Sequence, residues 1–192
     1  MEKISANVHE KEVVDLDYSI KKNIYNLSDY LNKKPEDLTA CIMDRPRHKA
    51  IINELNKIGV NIKLITDGDV SGALLVSNDK YNVDIFLGIG GGPEGVLASA
   101  ALDTLSCSFQ GRFLFDNDED KKRAHMMGIT NLTKKYELDE IVKGDSIFCA
   151  TGITSGDLVS GIRNESNEFI SETLVKHKST GLKKIIKKVV NR

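Results

Sequence analysis

Three short apolar runs, at residues 38–43, 61–65 and 83–87, begin about 22 residues apart, each followed by a polar loop and a helix-forming stretch. That length is one strand–helix unit, and right-handed crossovers between such units leave the strands parallel in one sheet. An α/β fold is therefore expected, with a largely parallel sheet flanked by helices. Parallel strands end on one edge, so three loops should converge there: Asp44-Arg45-Pro46-Arg47-His48, Thr66-Asp67-Gly68-Asp69 and Gly88-Ile89-Gly90-Gly91-Gly92-Pro93-Glu94-Gly95.

The flanking segments complete this outline. Residues 1–14 are polar apart from the Val13-Val14 pair, which suggests an edge strand. Asp17 is placed to cap a helix carrying Ile20, Ile24, Leu27 and Leu31 on one face and ending near Asn32. A strand is expected over 110–115, a charged helix over 117–127, and a further apolar strand over 145–150 whose loop, Thr151 to Asp157, joins the same edge. Residues 168–190 read as a C-terminal hairpin pivoting at Ser179-Thr180-Gly181, with Lys183, Lys184, Lys187 and Lys188 on a solvated edge. Antiparallel edge strands thus accompany the parallel set.

A chain of 192 residues can bury a substantial core, and no stretch reads as a flexible linker, so residues 1–192 are expected to form a single α/β domain. The 27 basic and 28 acidic residues nearly cancel, which argues against nucleic acid or an anionic membrane as partner and for a small molecule or another chain. No apolar run reaches the roughly 20 residues of a membrane span, and the first residues lack signal-peptide features, so a cytoplasmic protein is expected. Cys41, Cys107 and Cys149, widely spaced in apolar sequence, read as buried thiols of a reducing compartment. The scattered His9, His48, His125 and His177 do not suggest zinc.

The converging loops carry the chemistry. Four glycines in five residues, Gly88 to Gly92, let the backbone approach a ligand, and Pro93 suits the first turn of the helix that follows. Unpaired N–H groups and a partial positive charge at that helix start favour an anion. Glu94 would repel a bare phosphate but could hold a divalent cation that phosphate also binds, unless it only complements the helix dipole. The glycine spacing departs from the dinucleotide fingerprint, which weakens a nucleotide-binding oxidoreductase reading. Arg45 and Arg47 flank a stiffening proline and could form a double phosphate clamp, or pair with acidic neighbours such as Asp44. Asp67 and Asp69 could accept hydrogen bonds from sugar hydroxyls or ligate a cation, while Asp69 could instead cap the helix from Val70. His48 is assigned no chemistry, and no nucleophilic serine or cysteine motif or phosphate loop of the Gly-Lys-Ser/Thr type is present.

These residues resemble the class II fructose-1,6-bisphosphatases, the GlpX-type bacterial sugar bisphosphatases. The resemblance runs in order through Met1-Glu2-Lys3-Ile4, Asp44 to His48, Ile65 to Asp69, Gly88 to Leu97, Phe109-Gln110-Gly111-Arg112 and Ala150 to Thr154. It implies a sugar-phosphatase-like fold and metal-dependent hydrolysis of the 1-phosphate of fructose 1,6-bisphosphate to fructose 6-phosphate in gluconeogenesis. Sedoheptulose 1,7-bisphosphate is a second substrate of some such enzymes. By the same resemblance Arg45, Pro46 and Arg47 bind a substrate phosphate, Asp67, Gly68 and Asp69 bind the sugar, Gly91 contacts substrate through its backbone, and Glu94 ligates Mg²⁺ or Mn²⁺. A homo-oligomer is implied for the full-length enzyme. Ser155 departs from the charged residue relatives often carry there. The family's N-terminal half, with most of its metal carboxylates, has no counterpart here, so the chain reads as the C-terminal portion of such an enzyme with no certain catalytic residue of its own. The alternative is a non-catalytic sugar-phosphate-binding or assembly module.

Overall fold

The architecture comes from a computed structural model, which describes residues 1–191. Strands β1 (Glu2–Ala6), β2 (Thr39–Met43), β3 (Asn61–Ile65), β4 (Ile85–Ile89), β5 (Ser108–Arg112) and β6 (Lys135–Glu137) form a six-stranded sheet in the order β3-β2-β4-β1-β5-β6. The expected parallel core is present, with β2 parallel to both β3 and β4. β1 runs against its neighbours β4 and β5, so β5 again points with the parallel set, and β6 is an antiparallel edge.

The N-terminal strand is therefore not an edge, and it is not built on Val13-Val14. Glu2 to Ala6 pair on both sides, while Val13 and Val14 lie buried in an irregular turn beneath the sheet. The polar look of β1 hides a strict alternation. Ile4 and Ala6 enter one core, and Lys3 and Ser5 face the other side, where Ser5 Oγ donates to the Ala73 carbonyl at 3.1 Å. A buried polar strand is tolerable when its donors find partners.

Helices α1 (Ile20–Leu31) and α2 (Lys49–Ile58) cover one face, packing Ile24, Leu27 and Leu55 with Ile4, Ala40, Ile85 and Leu87. Helices α3 (Asp69–Leu74) and α4 (Gly92–Asp103) cover the other, with Phe86, Cys41 and Phe109 as its floor. α1 ends at Asn32 in the left-handed region, but its cap is Ser19, whose Oγ accepts from Lys22 N at 3.1 Å, and not Asp17. Asp17 is drawn away by Lys135 and Arg112, and these partners hold its carboxyl below the usual range. The charged helix α5 (Asp118–Met126) and the short α6 (Leu138–Ile141) follow. No helix among the described residues is long and apolar enough to cross a membrane.

A second, antiparallel sheet comprises β7 (Ile147–Thr151), β8 (Arg163–Glu165), β9 (Glu168–His177) and β10 (Leu182–Asn191), in the order β10-β9-β7 with β8 also on β9. Phe148 and Leu174 press it onto the α3–α4 layer, and β9–β10 is the expected hairpin. The strand foreseen over 145–150 thus belongs to a different sheet. Its loop does not join the common edge but touches the flank of β3, where Lys63 pairs with Asp157 at 2.9 Å. Cys41 and Cys107 are buried, with their thiols pushed up to about 12 by burial, but Cys149 is exposed, contrary to expectation.

Candidate functional site

The three loops after β2, β3 and β4 are tied together by contacts the sequence does not advertise. From the first, Arg45 lends one guanidinium nitrogen to the Thr66 carbonyl at 2.6 Å and another to the Asp44 carbonyl at 3.0 Å. Arg47 Nε donates to the Ile89 carbonyl at 2.7 Å. Neither arginine pairs with a carboxylate, so the ion-pair alternative with Asp44 fails. The terminal nitrogens of Arg47 keep their donors for a ligand. Pro46 begins a tight 3-10 turn, Pro46–His48, with Arg45 as its extended cap and Arg47 inside it, which fixes the two arginines on either side of the proline.

His48, fully buried, is the pin of this arrangement. Its Nδ1 lies 2.7 Å from the Met43 carbonyl and its Nε2 accepts from Ile89 N–H at 2.8 Å, so a ring protonated at Nδ1 alone joins the ends of β2 and β4. That geometry occupies both nitrogens and agrees with giving His48 no chemistry.

In the second loop Gly68 adopts φ 79, a left-handed conformation that side chains resist, and it, not Asp69, is the cap of α3. Asp67 Oδ1 accepts from Gly68 N–H at 2.8 Å, and the rest of its carboxylate faces solvent. Asp69 opens α3 and accepts a 2.6 Å ion pair from Lys3 Nζ, whose side chain is 2% exposed. One aspartate is thus free for a ligand and the other is already engaged through one oxygen.

The third loop explains its glycines by close approach. A Cβ on Gly90 would lie 2.6 Å from Asp69 Oδ2 and 3.2 Å from Lys3 Nζ, and one on Gly91 would collide with the Glu94 carboxylate folded back over the loop. Gly95 has a different duty, because a Cβ there would strike the Met1 sulfur. Met1 and Gly90 exchange backbone hydrogen bonds at 2.8 and 2.9 Å, which seats β1 against the start of α4. α4 begins at Gly92, with Gly91 as its cap and Pro93 in its first turn.

Glu94 is exposed and makes no hydrogen bond or ion pair, so its carboxylate is available as a hard oxygen donor. Among the described residues, however, no three His, Cys, Asp or Glu side chains gather tightly enough to hold a metal ion. Glu94 fits such an ion as one ligand and not as a set.

Lys3 is the participant that sequence reading missed. Its one signal is a lysine inside an alternating strand, which must find a carboxylate if buried, and nothing nearby in the sequence says which. The same edge continues across the sheet through Glu2, Arg112 and Lys135 in register. Arg112 binds Glu2 at 3.3 Å and Asp17, yet its buried Nε has no partner.

A family model described as bacterial fructose-1,6-bisphosphatase, glpX-encoded, matches residues 1–190. The D-fructose 1,6-bisphosphatase class 2/sedoheptulose 1,7-bisphosphatase of Synechococcus sp. (strain JA-3-3Ab) is 37% identical, with 91% of this chain and 54% of the relative covered. The equally described protein of Microcystis aeruginosa (strain NIES-843 / IAM M-2473) is 38% identical over 85% and 51%. The fructose-1,6-bisphosphatase class 2 of Haemophilus influenzae (strain ATCC 51907 / DSM 11121 / KW20 / Rd) is 34% identical over 96% and 60%. The chain therefore spans between half and three-fifths of the length of these relatives.

Proposed function

Because this chain belongs to the family of bacterial, glpX-encoded fructose-1,6-bisphosphatases, we propose that it provides the substrate-holding edge of a metal-dependent sugar bisphosphatase. The reaction is hydrolysis of the 1-phosphate of fructose 1,6-bisphosphate, with sedoheptulose 1,7-bisphosphate as the second candidate substrate suggested by the names of the cyanobacterial relatives. The observation that supports this reading most is the joined set of three loops, which carry two arginines and a glutamate that have no side-chain ion-pair partner among the described residues.

Each residue then has a physical task. Arg45 and Arg47 bind phosphate oxygens, and Pro46 fixes the spacing of the two guanidinium groups. Asp67 and the free oxygen of Asp69 accept hydrogen bonds from sugar hydroxyls, with the Lys3 ion pair keeping Asp69 in place. The backbone of Gly91 contacts the substrate, as its lack of a side chain permits. Glu94 is the residue that would hold Mg²⁺ or Mn²⁺. Such an ion, when bound, lowers the pKa of water and neutralises charge on phosphate oxygens.

A second reading, a module that binds the sugar phosphate without turning it over, is favoured for these 192 residues by themselves because no three His, Cys, Asp or Glu side chains among the described residues gather closely enough to hold a metal ion. Both readings are tested by calorimetry with fructose 1,6-bisphosphate alongside a phosphate-release assay with Mg²⁺ or Mn²⁺. We expect binding with little or no phosphate release, and a loss of affinity of tenfold or more for each of Arg45→Ala and Arg47→Ala, about what a charge-assisted hydrogen bond is worth. Unchanged affinity in both variants would remove the clamp. Rapid release by these residues alone would show that metal donors other than Glu94 act.

A further inference from the structure

Four buried charged residues stand out in the core: Lys3, Asp103, Glu172 and Lys176. Three of them are compensated. Lys3 pairs with Asp69, Asp103 with Ser146 and with Lys178 at 2.7 Å, and Glu172 with Ser160 N–H at 3.2 Å and Lys187 at 3.5 Å. Lys176, only 7% exposed, has no hydrogen bond and no ion pair. Among the described residues it is a cation without a counter-charge, its stem covered and its ammonium still reaching solvent through the cavity it lines.

Its surroundings make the situation worse instead of relieving it. Lys176 on β9 stands directly opposite Lys183 on β10, and like charges facing each other across a strand pair repel. Both line one cavity of about 280 Å³ with Lys80 and Lys184, and no carboxylate lines it. The nearby Cys107 thiol does not serve as counter-ion, because burial pushes it up to about 12. Burial and then the neighbouring Lys183 also draw the Lys176 ammonium below its ordinary range. The remaining walls are apolar, chiefly Leu74, Leu105, Leu174 and Ile185, with Tyr81 beside Lys80.

We propose that this cavity is a binding site for a small organic anion, a phosphate- or phosphonate-type head gathered by Lys176 and Lys183 with an apolar or aromatic body against Leu74 and Leu174. Lys176 and Lys183, opposite each other and so on one face of the β9–β10 pair, suit a doubly charged head, since each ammonium acts as a point charge and needs no bidentate geometry. The volume admits a body about the size of one ring beside that head, given that a water occupies about 30 Å³ of liquid. The site is distinct from the loop edge. No residue is shared, and α3 separates them, with Asp69 at the loop end and Leu74 on the cavity wall.

The test uses phenylphosphonate, which carries both parts and cannot be hydrolysed as a phosphate ester, against inorganic phosphate and benzyl alcohol as head alone and body alone. Calorimetry on the 192-residue chain should show phenylphosphonate binding at least about tenfold tighter than either part. Amide resonances of Tyr81, Lys176 and Lys183 should shift, and should do so equally in the Arg45→Ala/Arg47→Ala double variant, in which any phosphonate binding at the loop edge is removed. Lys176→Met should weaken binding about tenfold or more, because it removes a cation that faces the head while keeping volume. If that variant does not fold, Lys183→Met on the exposed strand carries the same binding expectation. Affinity equal to that of the parent in both lysine variants, or shifts confined to the Arg45–Arg47 loop, would overturn the proposal.

Discussion

Every residue of β2 is buried, whereas every residue of β10 is exposed. Both strands are rich in apolar side chains, but β10 also carries four lysines where β2 carries no charge. β2 lies between two helical layers, and its run Thr-Ala-Cys-Ile-Met can face apolar surroundings on both sides. β10 reads Leu-Lys-Lys-Ile-Ile-Lys-Lys-Val-Val, a pattern in fours laid on a strand that alternates in twos. Each face therefore receives lysines and aliphatic residues in turn, and neither can be sealed. The first sheet fixes the ends of its strands, and hence its loops, to within hydrogen-bonding precision. The second is held by its hairpin register and by one face only.

The largest effect should come from a single core residue of the first sheet. Phe86, 1% exposed and packed near Gly72 and Gly88, should cost about 3–5 kcal/mol when changed to Ala, measured by urea unfolding. Ile186→Ala on β10 should stay within about 0.5 kcal/mol. Comparable losses at the two positions would erase the contrast between the sheets.

Next comes the ion pair that links β1 to α3. Asp69→Asn leaves the buried Lys3 ammonium uncompensated and should destabilise by about 3 kcal/mol, whereas Lys3→Met combined with Asp69→Leu should recover most of that loss. The same unfolding experiment decides. A D69N variant as stable as the parent would mean that Lys3 reaches water and that β1 is held by its strand pairing and packing without the ion pair.

The smallest effect belongs to the second sheet's hairpin turn, where Ser179 and His177 hold the Asp145 carboxyl at about 2. A lowered carboxyl contributes stability fully above its unfolded value near 3.8 and loses it as pH falls toward 2. The Ser179 amide, which donates to Asp145, should lose protection in that window while core amides of β2 do not. Asp145→Asn should abolish the pH dependence of the turn. Persistence of that dependence in the variant would assign it to another group. Ser179, His177 and Asp145 are mutually bonded, but the carboxylate accepts from both of the others, so the cluster locks the turn and does not form a relay from serine through histidine to carboxylate.

Much of the fold was legible because its signals are local. Spacing gave β2, β3, β4 and the loops after them, Asn117 gave the start of α5, and Ser179-Thr180-Gly181 gave the hairpin turn. The candidate site was legible to the same extent, since Arg45, Arg47, Asp67, Asp69 and Glu94 all stand on loops that follow these strands. Expectations that required knowing a distant neighbour went astray. Asp17 looked like a cap until Arg112 and Lys135 competed for it, and Cys149 looked buried until its strand proved to lie in the second sheet with its side chain outward.

Periodicity and turn chemistry act over a few residues, so the sequence by itself determined β2, β3 and β4, the helices after them, α1, α5 and the loops that follow the parallel strands. The tertiary structure alone decided that Glu2 to Ala6 slide between β4 and β5, that Met1 fills the slot left by Gly95, and that Lys3 finds Asp69. Those contacts join segments more than sixty residues apart in the chain. Nothing local favours one distant carboxylate over another. The choice follows from which arrangement buries the apolar faces of α1, α2, α3 and α4 while leaving the Lys3 ammonium a partner.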